Sequence, residues 1–408
     1  MKMKKVLIVG SSAKEYALAK KLSGYEIFVA PGNERISDIA KCVDIRKDNV
    51  DELLKFAINN SIDLTIVSSQ TAIQNDIVSV FQANEQPIFA PNAKSAEITF
   101  SRSASRKFLY KLRIPAPHFG VYDKAQNAID YLHKAPMPQL IHADNSNGDR
   151  LVCTTFLTSK TFVEDLFCKG EEKVVLEDYV FGHEFSIYFI TDGYHALHLA
   201  SVANYKFMED GNGGIFTSGS GAYIPDYRIS KEIEDRILKH IIMPSIESLQ
   251  KKEIPYMGIL GLDCVLTDDN DVIALNFKSF LSDHDAQVIL NMVDEDLITL
   301  FNACINGSFE DYVKINTSDK ASVSCVVFGR TEDKIITGIN DINSELTPFA
   351  ISKNQYLEYK SINGKNFVVT SKANTLSRAR TILYEDLDQI SFEGIKYRAD
   401  ICETVENF

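Results

Sequence analysis

Two carboxylates seven residues apart bracket a short aromatic segment near the middle of the chain. Glu177 and Glu184 lie on either side of Tyr179 and Val180, just after the apolar run Val174–Leu176. A strand that ends in acidic residues and continues into a short linker suits a hinge, in which backbone groups hold adenine and a carboxylate holds ribose. The alternative interpretation is a solvated strand end.

Two further oxygen-bearing side chains flank an acidic turn. Asp263 and Asn276 stand on either side of residues 268–271, and the pattern predicts that they lie on neighbouring strands of a hairpin. Oxygen ligands on adjacent strands suit Mg²⁺, or Mn²⁺, shared with triphosphate oxygens. The sequence therefore offers Asp263 and Asn276 as candidate metal ligands, against the alternative that they are ordinary polar strand residues.

Two glycine-bearing segments are candidates for anion binding. Gly10–Lys14 reads G-S-S-A-K directly after an apolar run, and it lacks the second and third glycines of the nicotinamide-binding G-x-G-x-x-G. A dehydrogenase is therefore disfavoured, and a tight strand-to-helix turn is the plain alternative. Gly211–Gly221 holds five glycines in eleven residues. This density predicts a mobile loop, either gathering N–H groups around an anion or simply flexible.

The elements that must position these residues alternate between strand and helix over the first hundred residues. Predicted strands are Lys5–Val9, Tyr25–Ala30, Leu64–Val67 and Pro87–Phe89, and predicted helices are Lys14–Leu22, Val50–Ile58 and Ile73–Phe81. Such alternation predicts a doubly wound parallel sheet, in which ligands lie beyond the carboxyl ends of the strands.

The rest of the chain divides at a stiff break. A helix is predicted over Ala93–Leu112, and Ile114–Pro117 after it reads I-P-A-P, which indicates a domain boundary. A long helix is predicted at Lys231–Gln250, and a last α+β segment at Ala321–Ile401. We expect an N-terminal domain at 1–100, a middle domain at 101–312 with a lid at about 115–185, and a C-terminal domain at 313–408.

Bulk composition excludes several classes of protein. At 408 residues the chain is too long for one core of ordinary size. A net charge of −13 repels phosphate backbones, so nucleic acid is not an expected partner. The seven cysteines are scattered without a C-x-x-C pair, which argues against a disulfide framework and a zinc site. No apolar run approaches the roughly 18 residues of a membrane span, so we expect a cytoplasmic protein.

Over nearly its whole length the chain resembles the glycinamide ribonucleotide synthetase (phosphoribosylamine–glycine ligase) family of ATP-grasp enzymes. The family's G-N-G-G-R-E-H-A corresponds to Gly10–Ala17, and its A-P-G-N stands intact as Ala30–Asn33. Its hinge E-E-F-L-x-G-E-E-x-S appears as Glu177–Ser186, and its closing Y-R-x-D-I as Tyr397–Ile401. The resemblance implies an α/β ATP-grasp fold with an N-terminal parallel-sheet domain, a lid, a body and a C-terminal α+β domain.

The resemblance also implies an activity. The family joins glycine to 5-phosphoribosylamine in de novo purine biosynthesis, releasing ADP and phosphate, and uses ATP with Mg²⁺. Such an enzyme would act on small molecules as a monomer or homodimer. Matching positions predict ATP contacts at Arg102, His142, Glu177, Asp178, Val180 and Glu184, and substrate contacts at Gly10, Gly32, Asn33 and Lys278. No residue is assigned a catalytic role.

Three departures from the family pattern fall on phosphate and metal positions. Arg102 replaces the lysine of S-K, and this keeps the charge without the point-charge geometry. His142 replaces the lysine of I-K-A-D-G and is mostly neutral near pH 7. The family's E-F-N reads Ala274–Asn276, so a carboxylate is missing, and Ala274→Glu is expected to restore it. Two other functions therefore stay open: a degenerate ATP-grasp protein that binds a nucleotide or a partner, and a ligase with another amine substrate.

Overall fold

The N-terminal part is a parallel sheet with helices on both faces. In this computed structural model, which describes residues 4–145, 148–349 and 351–403, five strands run in the order β3-β2-β1-β4-β5. They are β1 (Lys5–Gly10), β2 (Glu26–Pro31), β3 (Lys41–Cys42), β4 (Leu64–Val67) and β5 (Ile88–Phe89). The helices are α1 (Ala13–Lys21), α2 (Val50–Asn60), α3 (Gln70–Gln74) and α4 (Ile77–Ala83). The predicted parallel sheet is confirmed, and its central strands are apolar because both faces are covered.

Two of the predicted helices are each interrupted by a residue outside the helical conformation. The helix expected over Ile73–Phe81 breaks at Asp76, which adopts a left-handed backbone conformation with φ of 58°. The helix expected over Ala93–Leu112 becomes α5 (Glu97–Phe100) and α6 (Arg102–Lys111). Ser101 between them is extended, and its hydroxyl accepts a hydrogen bond from Ala104 N, so it caps α6. Helical periodicity continues across both breaks, which is why the sequence did not reveal them.

A small antiparallel sheet follows and has a core of its own. Within the described residues its strands run β6-β9-β7-β8, with β6 (Phe119–Tyr122), β7 (Gln139–Ala143), β8 (Arg150–Cys153) and β9 (Val174–Asp178). Helices α7 (Ala125–Leu132) and α8 (Phe156–Cys168) pack on it, burying Ile141, Val163 and Leu176. A separate apolar core is what a lid at about residues 115–185 would need, and the role of this unit as a lid stays a prediction.

The largest sheet is antiparallel and runs from the middle of the chain to its C-terminal part. Its main path is β14-β13-β10-β11-β12-β15-β19-β16. The strands after β9 are β10 (His183–Thr191), β11 (Ala196–Glu209), β12 (Gly213–Ile224), β13 (Gly258–Leu266), β14 (Val272–Lys278), β15 (Ala321–Gly329), β16 (Glu345–Pro348), β17 (Ser352–Lys353), β18 (Tyr359–Lys360), β19 (Gly364–Ala373) and β20 (Ile395–Lys396). The remaining helices are α9 (Lys231–Ile237), α10 (Met243–Gln250), α11 (Asp283–Met292), α12 (Leu297–Asn306) and α13 (Leu376–Leu387).

The pairing of β12 with β15 joins the C-terminal segment to the central sheet. The boundary expected at residue 313 therefore falls within one continuous sheet, and the division into three domains stays a prediction. The described residues contain no helix that is both long and apolar enough to span a bilayer.

The glycine-rich segment is not the mobile loop that its composition predicted. After a tight turn at Asp210–Asn212 it forms strand β12, which pairs with β11 on one side and β15 on the other. Glycine is required because a Cβ at Gly219 would collide with His284, and one at Gly221 with Ile401. The prediction was wrong because these glycines allow close packing rather than disorder.

Candidate active site

A single cleft runs between the N-terminal sheet, the lid and the central sheet. Its cavity volume is about 380 Å³. Most of the residues chosen from the sequence line it: Gly10, Arg102, His142, Glu177, Asp178, Val180, Glu184, Asp263, Asn276 and Lys278. The carboxyl end of β1, the hinge after β9 and the β13–β14 hairpin thus meet at one place, as strand ends do in open α/β sheets.

The hinge glutamate is held by two arginines, a group we name the hinge cluster (Arg102, Arg106 and Glu177). Each guanidinium makes two hydrogen bonds to the Glu177 carboxylate, at 2.6 Å and 2.6 Å from Arg102 and 2.7 Å and 2.6 Å from Arg106. Glu177 is only 1% exposed. Burial alone would raise the pKa of Glu177, but the two arginine charges hold it well below its usual range. Its carboxylate is therefore already saturated with donors.

His142 lies beside the hinge cluster and is neutral. Its Nε2 is 4.0 Å from Oε2 of Glu177 and has no hydrogen-bond partner among the residues that the structure describes. Burial, reinforced by the charge of Arg102, holds the pKa of His142 well below 6.5. A neutral imidazole can form one hydrogen bond through Nε2 with a ligand in the cleft, but it cannot supply the positive charge of a lysine.

The second hinge carboxylate, Glu184, differs from Glu177 because no basic side chain of the described residues is paired with it. Glu184, at the start of β10, makes no ion pair with any residue that the structure describes, and burial raises its pKa. Asp178 is engaged, because its Oδ1 accepts a hydrogen bond of 2.7 Å from Gln139 Nε2. Glu184 is thus the hinge carboxylate left available for ligand hydroxyls, next to Tyr179 and Val180 in the cleft wall.

The candidate metal residues are neighbours, but cations already hold their oxygens. Asp263 and Asn276 are register partners between β13 and β14. Asp263 Oδ1 accepts hydrogen bonds from Lys278 Nζ, at 2.6 Å, and from Ser186 Oγ, at 2.5 Å. Asn276 Oδ1 accepts a hydrogen bond of 3.2 Å from Arg102 Nη1. Within the described ranges no group of three or more His, Cys, Asp or Glu could hold a metal ion, so this donor set does not fit a resident divalent cation.

The missing carboxylate cannot be restored at the position expected from the sequence. Ala274 is fully buried in the apolar core with Cys264 and Phe277, whereas Leu275 lines the cleft. A register shift between Asp263 and Cys264 accompanies this arrangement. The expectation for Ala274→Glu was therefore wrong, because a glutamate there would enter the core rather than the cleft.

The strand end at Gly10 is filled by the protein's own carboxylates. Ser12 Oγ and Lys14 N donate to Asp283 Oδ1 at 2.6 and 3.1 Å, and Ser12 N donates to Glu15 at 2.6 Å. A Cβ at Gly10 would collide with the Glu15 carboxyl group. The first turn of α1 therefore already holds negative charge, and Gly10 is required for this close approach.

Two predicted substrate residues lie outside the cleft lining. Asn33 Nδ2 donates to the backbone oxygens of Ser11 and Phe349, at 3.0 and 3.1 Å, and its Oδ1 accepts from two backbone N–H groups. Gly32 has a left-handed φ of 68°, where a side chain would collide with Cys42. Both residues shape the turn after β2, and their role in substrate binding stays a prediction.

The structure adds four basic residues that the sequence reasoning had not chosen. Arg106 completes the hinge cluster. The other three, Arg150, Lys206 and Lys365, gather around Phe216–Ser218 of β12, and we name them the cation cluster. The sequence could have indicated Arg106, because it lies one helical turn after Arg102 on α6. No local sequence pattern could have indicated Lys365, because 147 residues separate it from its partner Ser218.

The fold and its cleft define an ATP-grasp protein. The structure is similar to phosphoribosylamine–glycine ligase from Thermotoga maritima, with a TM-score of 0.81, 21% identity, and coverage of 97% of this chain and 100% of that one. It is also similar to the biotin carboxylase domain of 2-oxoglutarate carboxylase from Hydrogenobacter thermophilus, solved with MgADP, with a TM-score of 0.71, 13% identity, and coverage of 97% and 92%.

Sequence comparison narrows the class. Residues 4–99 match the family model described as phosphoribosylglycinamide synthetase, N domain, and residues 100–286 match its ATP-grasp (A) domain. The chain is 31% identical to phosphoribosylamine–glycine ligase of Lactococcus lactis, with 97% of this chain and 98% of that protein covered. It is 29% identical to the Clostridium acetobutylicum enzyme of the same name, with 97% and 99% covered. The chain belongs to the phosphoribosylamine–glycine ligase family of ATP-grasp ligases.

Proposed function

We propose that the protein is an ATP-dependent ligase that joins glycine to 5-phosphoribosylamine, releasing ADP and phosphate, in purine biosynthesis. Full-length similarity to enzymes of that name supports this activity. The observation that carries the proposal is the convergence of the hinge, the β12 strand and the end of β1 on one cleft. An acyl phosphate formed there from glycine and ATP would need to be enclosed and kept from water until the amine attacks.

The described side chains suggest a division of roles. Tyr179 and Val180 would contact adenine, and Glu184, which has no ion pair in the described chain, would accept hydrogen bonds from ribose hydroxyls. Arg102 and the cation cluster would face the phosphates. Fixed donors of this kind stabilise charge that develops on phosphoryl oxygens during transfer. Divalent cations would screen the same charge in the family's reaction, but Asp263 and Asn276 are engaged with basic side chains.

A second candidate is a protein that binds a nucleotide without ligating. The specific observation in its favour is the saturated Glu177 carboxylate, together with the closed Asp263–Lys278 pair. Both arrangements remove acidic oxygens from the ligand side of the cleft.

A coupled assay for ADP release separates the two candidates. Purified protein would be given ATP and Mg²⁺ with glycine and phosphoribosylamine together, and then with each substrate omitted. Ligation predicts ADP release that needs both. ADP release that occurs without phosphoribosylamine but responds to another amine would point to a different acceptor. Binding of ATP analogues without any ADP release would support the second candidate.

A variant at the hinge tests the placement of the nucleotide. Glu184→Gln should weaken binding of an ATP analogue about tenfold, because a neutral amide is a poorer acceptor for two ribose hydroxyls. Glu164→Gln is the matched control, since Glu164 is exposed on α8 in an ion pair with Lys160. An unchanged dissociation constant for Glu184→Gln would remove this residue from the nucleotide site.

A further inference from the structure

In the cation cluster, two of the three members have no carboxylate within ion-pair distance among the residues that the structure describes. Arg150 Nη2 donates to Thr217 O at 3.2 Å, and its guanidinium lies over the Phe216 ring. Lys365 Nζ donates to Ser218 Oγ at 2.6 Å and lies 5.4 Å from the Phe349 ring centroid. Neither makes an ion pair with a residue that the structure describes.

The third member is only partly neutralised. Lys206 Nζ is 3.5 Å from Asp263 Oδ1, but that oxygen is already 2.6 Å from Lys278 Nζ. Lys278 Nζ also lies 3.5 Å from Asp285 Oδ2, and Lys14 Nζ lies 3.5 Å from Glu15 Oε1. The closest contact of Asp263 thus goes to Lys278, while Asp263, Glu184 and Asp283 act on the cation cluster from longer range.

Chain topology brings these cations together at a definite place. Arg150 starts β8 of the lid, Lys206 is on β11 and Lys365 is on β19, so three separate parts of the chain contribute. Arg150 and Lys365 bond to Thr217 and Ser218 through their charged groups, whereas Lys206 is joined to this segment through its backbone oxygen, which accepts a hydrogen bond of 2.8 Å from Thr217 Oγ1. Phe216 and Ser218 line the cleft together with Arg150 and Lys206. Gathering three cations in a half-buried place where only Lys206 has a carboxylate within ion-pair distance is unfavourable unless an anion completes the group.

The electrostatics of Lys365 agree with this geometry. Burial lowers the pKa of Lys365 to about 8; the charge of Asp283 opposes this, and the charges of Lys206 and Arg150 act in the same direction as burial. The ammonium group therefore still carries its proton near pH 7, with Lys206 and Arg150 as like-charged neighbours and Asp283 as an opposite charge. A bound dianion would relieve that repulsion.

We propose that Arg150, Lys206 and Lys365 form a phosphoryl-binding site whose side chains supply the positive charge that divalent cations supply elsewhere, so that nucleotide phosphate binds here without a divalent cation. The proposal rests on the nucleotide-dependent function above. It accounts for two independent features at once: basic side chains from β8, β11 and β19 that come together beside β12, and a hairpin whose oxygens are already bonded to cations. Three donors from separate elements also suit the three oxygens of a terminal phosphoryl group.

Calorimetric titration with ADP tests the site directly. The dissociation constant for ADP should change by less than about threefold between EDTA and excess Mg²⁺. Lys365→Met should weaken ADP about tenfold in EDTA, because one charge-assisted hydrogen bond is lost, while adenosine should bind as before. Lys365→Arg should retain most of the affinity. Lys360→Met is the control, since Lys360 pairs with Asp333 away from the cleft.

The outcomes separate this proposal from the ligase proposal. ADP that binds at least about tenfold more weakly in EDTA would overturn metal-independent binding, even if ligation is observed. Unchanged ADP affinity in Lys365→Met would remove Lys365 from the site. Titration with ribose 5-phosphate distinguishes the phosphate's source, because the variant should lose affinity for that ligand alone if the acceptor's phosphate occupies the cluster. If no nucleotide binds under either condition, both proposals fail.

Discussion

The hinge cluster and the cation cluster each contribute two residues to the lining of one cleft, yet the charges of the two clusters are compensated differently. In the hinge cluster two arginines share one carboxylate, and four hydrogen bonds of 2.6–2.7 Å satisfy it. In the cation cluster Arg150 and Lys365 have hydroxyl, carbonyl and ring partners instead. The first arrangement is complete within the protein, and the second would be completed by a bound anion under the proposal above. A charged residue in a cleft is therefore better judged by whether its partner is already present than by its type.

The largest expected effect comes from breaking the saturated cluster. Glu177→Gln should lower the free energy of unfolding by about 3–5 kcal/mol, because two buried arginines lose their shared counter-charge. Chemical denaturation would measure the loss. Glu172→Gln serves as the control, since Glu172 is an exposed glutamate shortly before β9. A variant as stable as the parent protein would show that the cluster contributes no net stability.

The hinge cluster also predicts a dependence on acid. The folded-state pKa of Glu177 is depressed, so its contribution to stability is fully present above the unfolded pKa of about 4.3. That contribution is lost progressively as pH falls below the unfolded value and through the folded one. The gap in unfolding free energy between the parent and Glu177→Gln should therefore be constant from pH 6 to about pH 5 and narrow in stronger acid. A gap that widens in acid would contradict this assignment.

A substitution in the cation cluster should have little effect on stability and a larger effect on ligand binding. Arg150→Met should change ligand-free stability by less than about 1 kcal/mol, because no close ion pair is lost and the longer-range attraction to Asp263 is partly offset by repulsion from Arg102. Affinity for ADP should nevertheless fall about tenfold. Thermal unfolding with and without ADP measures both quantities. Arg330→Met, at an exposed arginine 4.0 Å from Glu209, should alter neither. Loss of ligand-free stability as large as that of Glu177→Gln would erase the distinction between the two clusters.

The sequence predicted those features that depend on local patterns. The strands of the N-terminal sheet followed from short apolar runs, and the hinge followed from the string Glu177–Ser186. The breaks at Asp76 and Ser101 were missed because helical spacing continues across them. Strand β12 was missed because glycine content suggests flexibility, while its pairing with β15 depends on a strand about a hundred residues away.

The site was less predictable than the fold for the same reason. A role for Glu177 could be chosen from its place at a strand end, but its saturation depends on Arg102 and Arg106, more than 70 residues earlier. Asp263 and Asn276 were rightly expected on adjacent strands, and only the structure shows the basic side chains bonded to them. Spacing predicts which residues approach each other, whereas the balance of charge depends on every chain segment that meets in the cleft.

The smallest expected effect concerns His142, which lies beside the hinge cluster and carries no charge. Its pKa is held well below 6.5 by burial and by Arg102, so the imidazole is neutral over the ordinary working range of pH. His142→Gln should then change the affinity for ADP by less than about threefold, because one neutral hydrogen-bonding group replaces another. The affinity of the parent protein should show no step between pH 6 and about pH 8 that disappears in this variant. If such a step were found, a bound phosphate would be raising the pKa of His142 and keeping it protonated. The histidine would then act as a fourth cation of the phosphoryl site rather than as a neutral contact beside the hinge cluster.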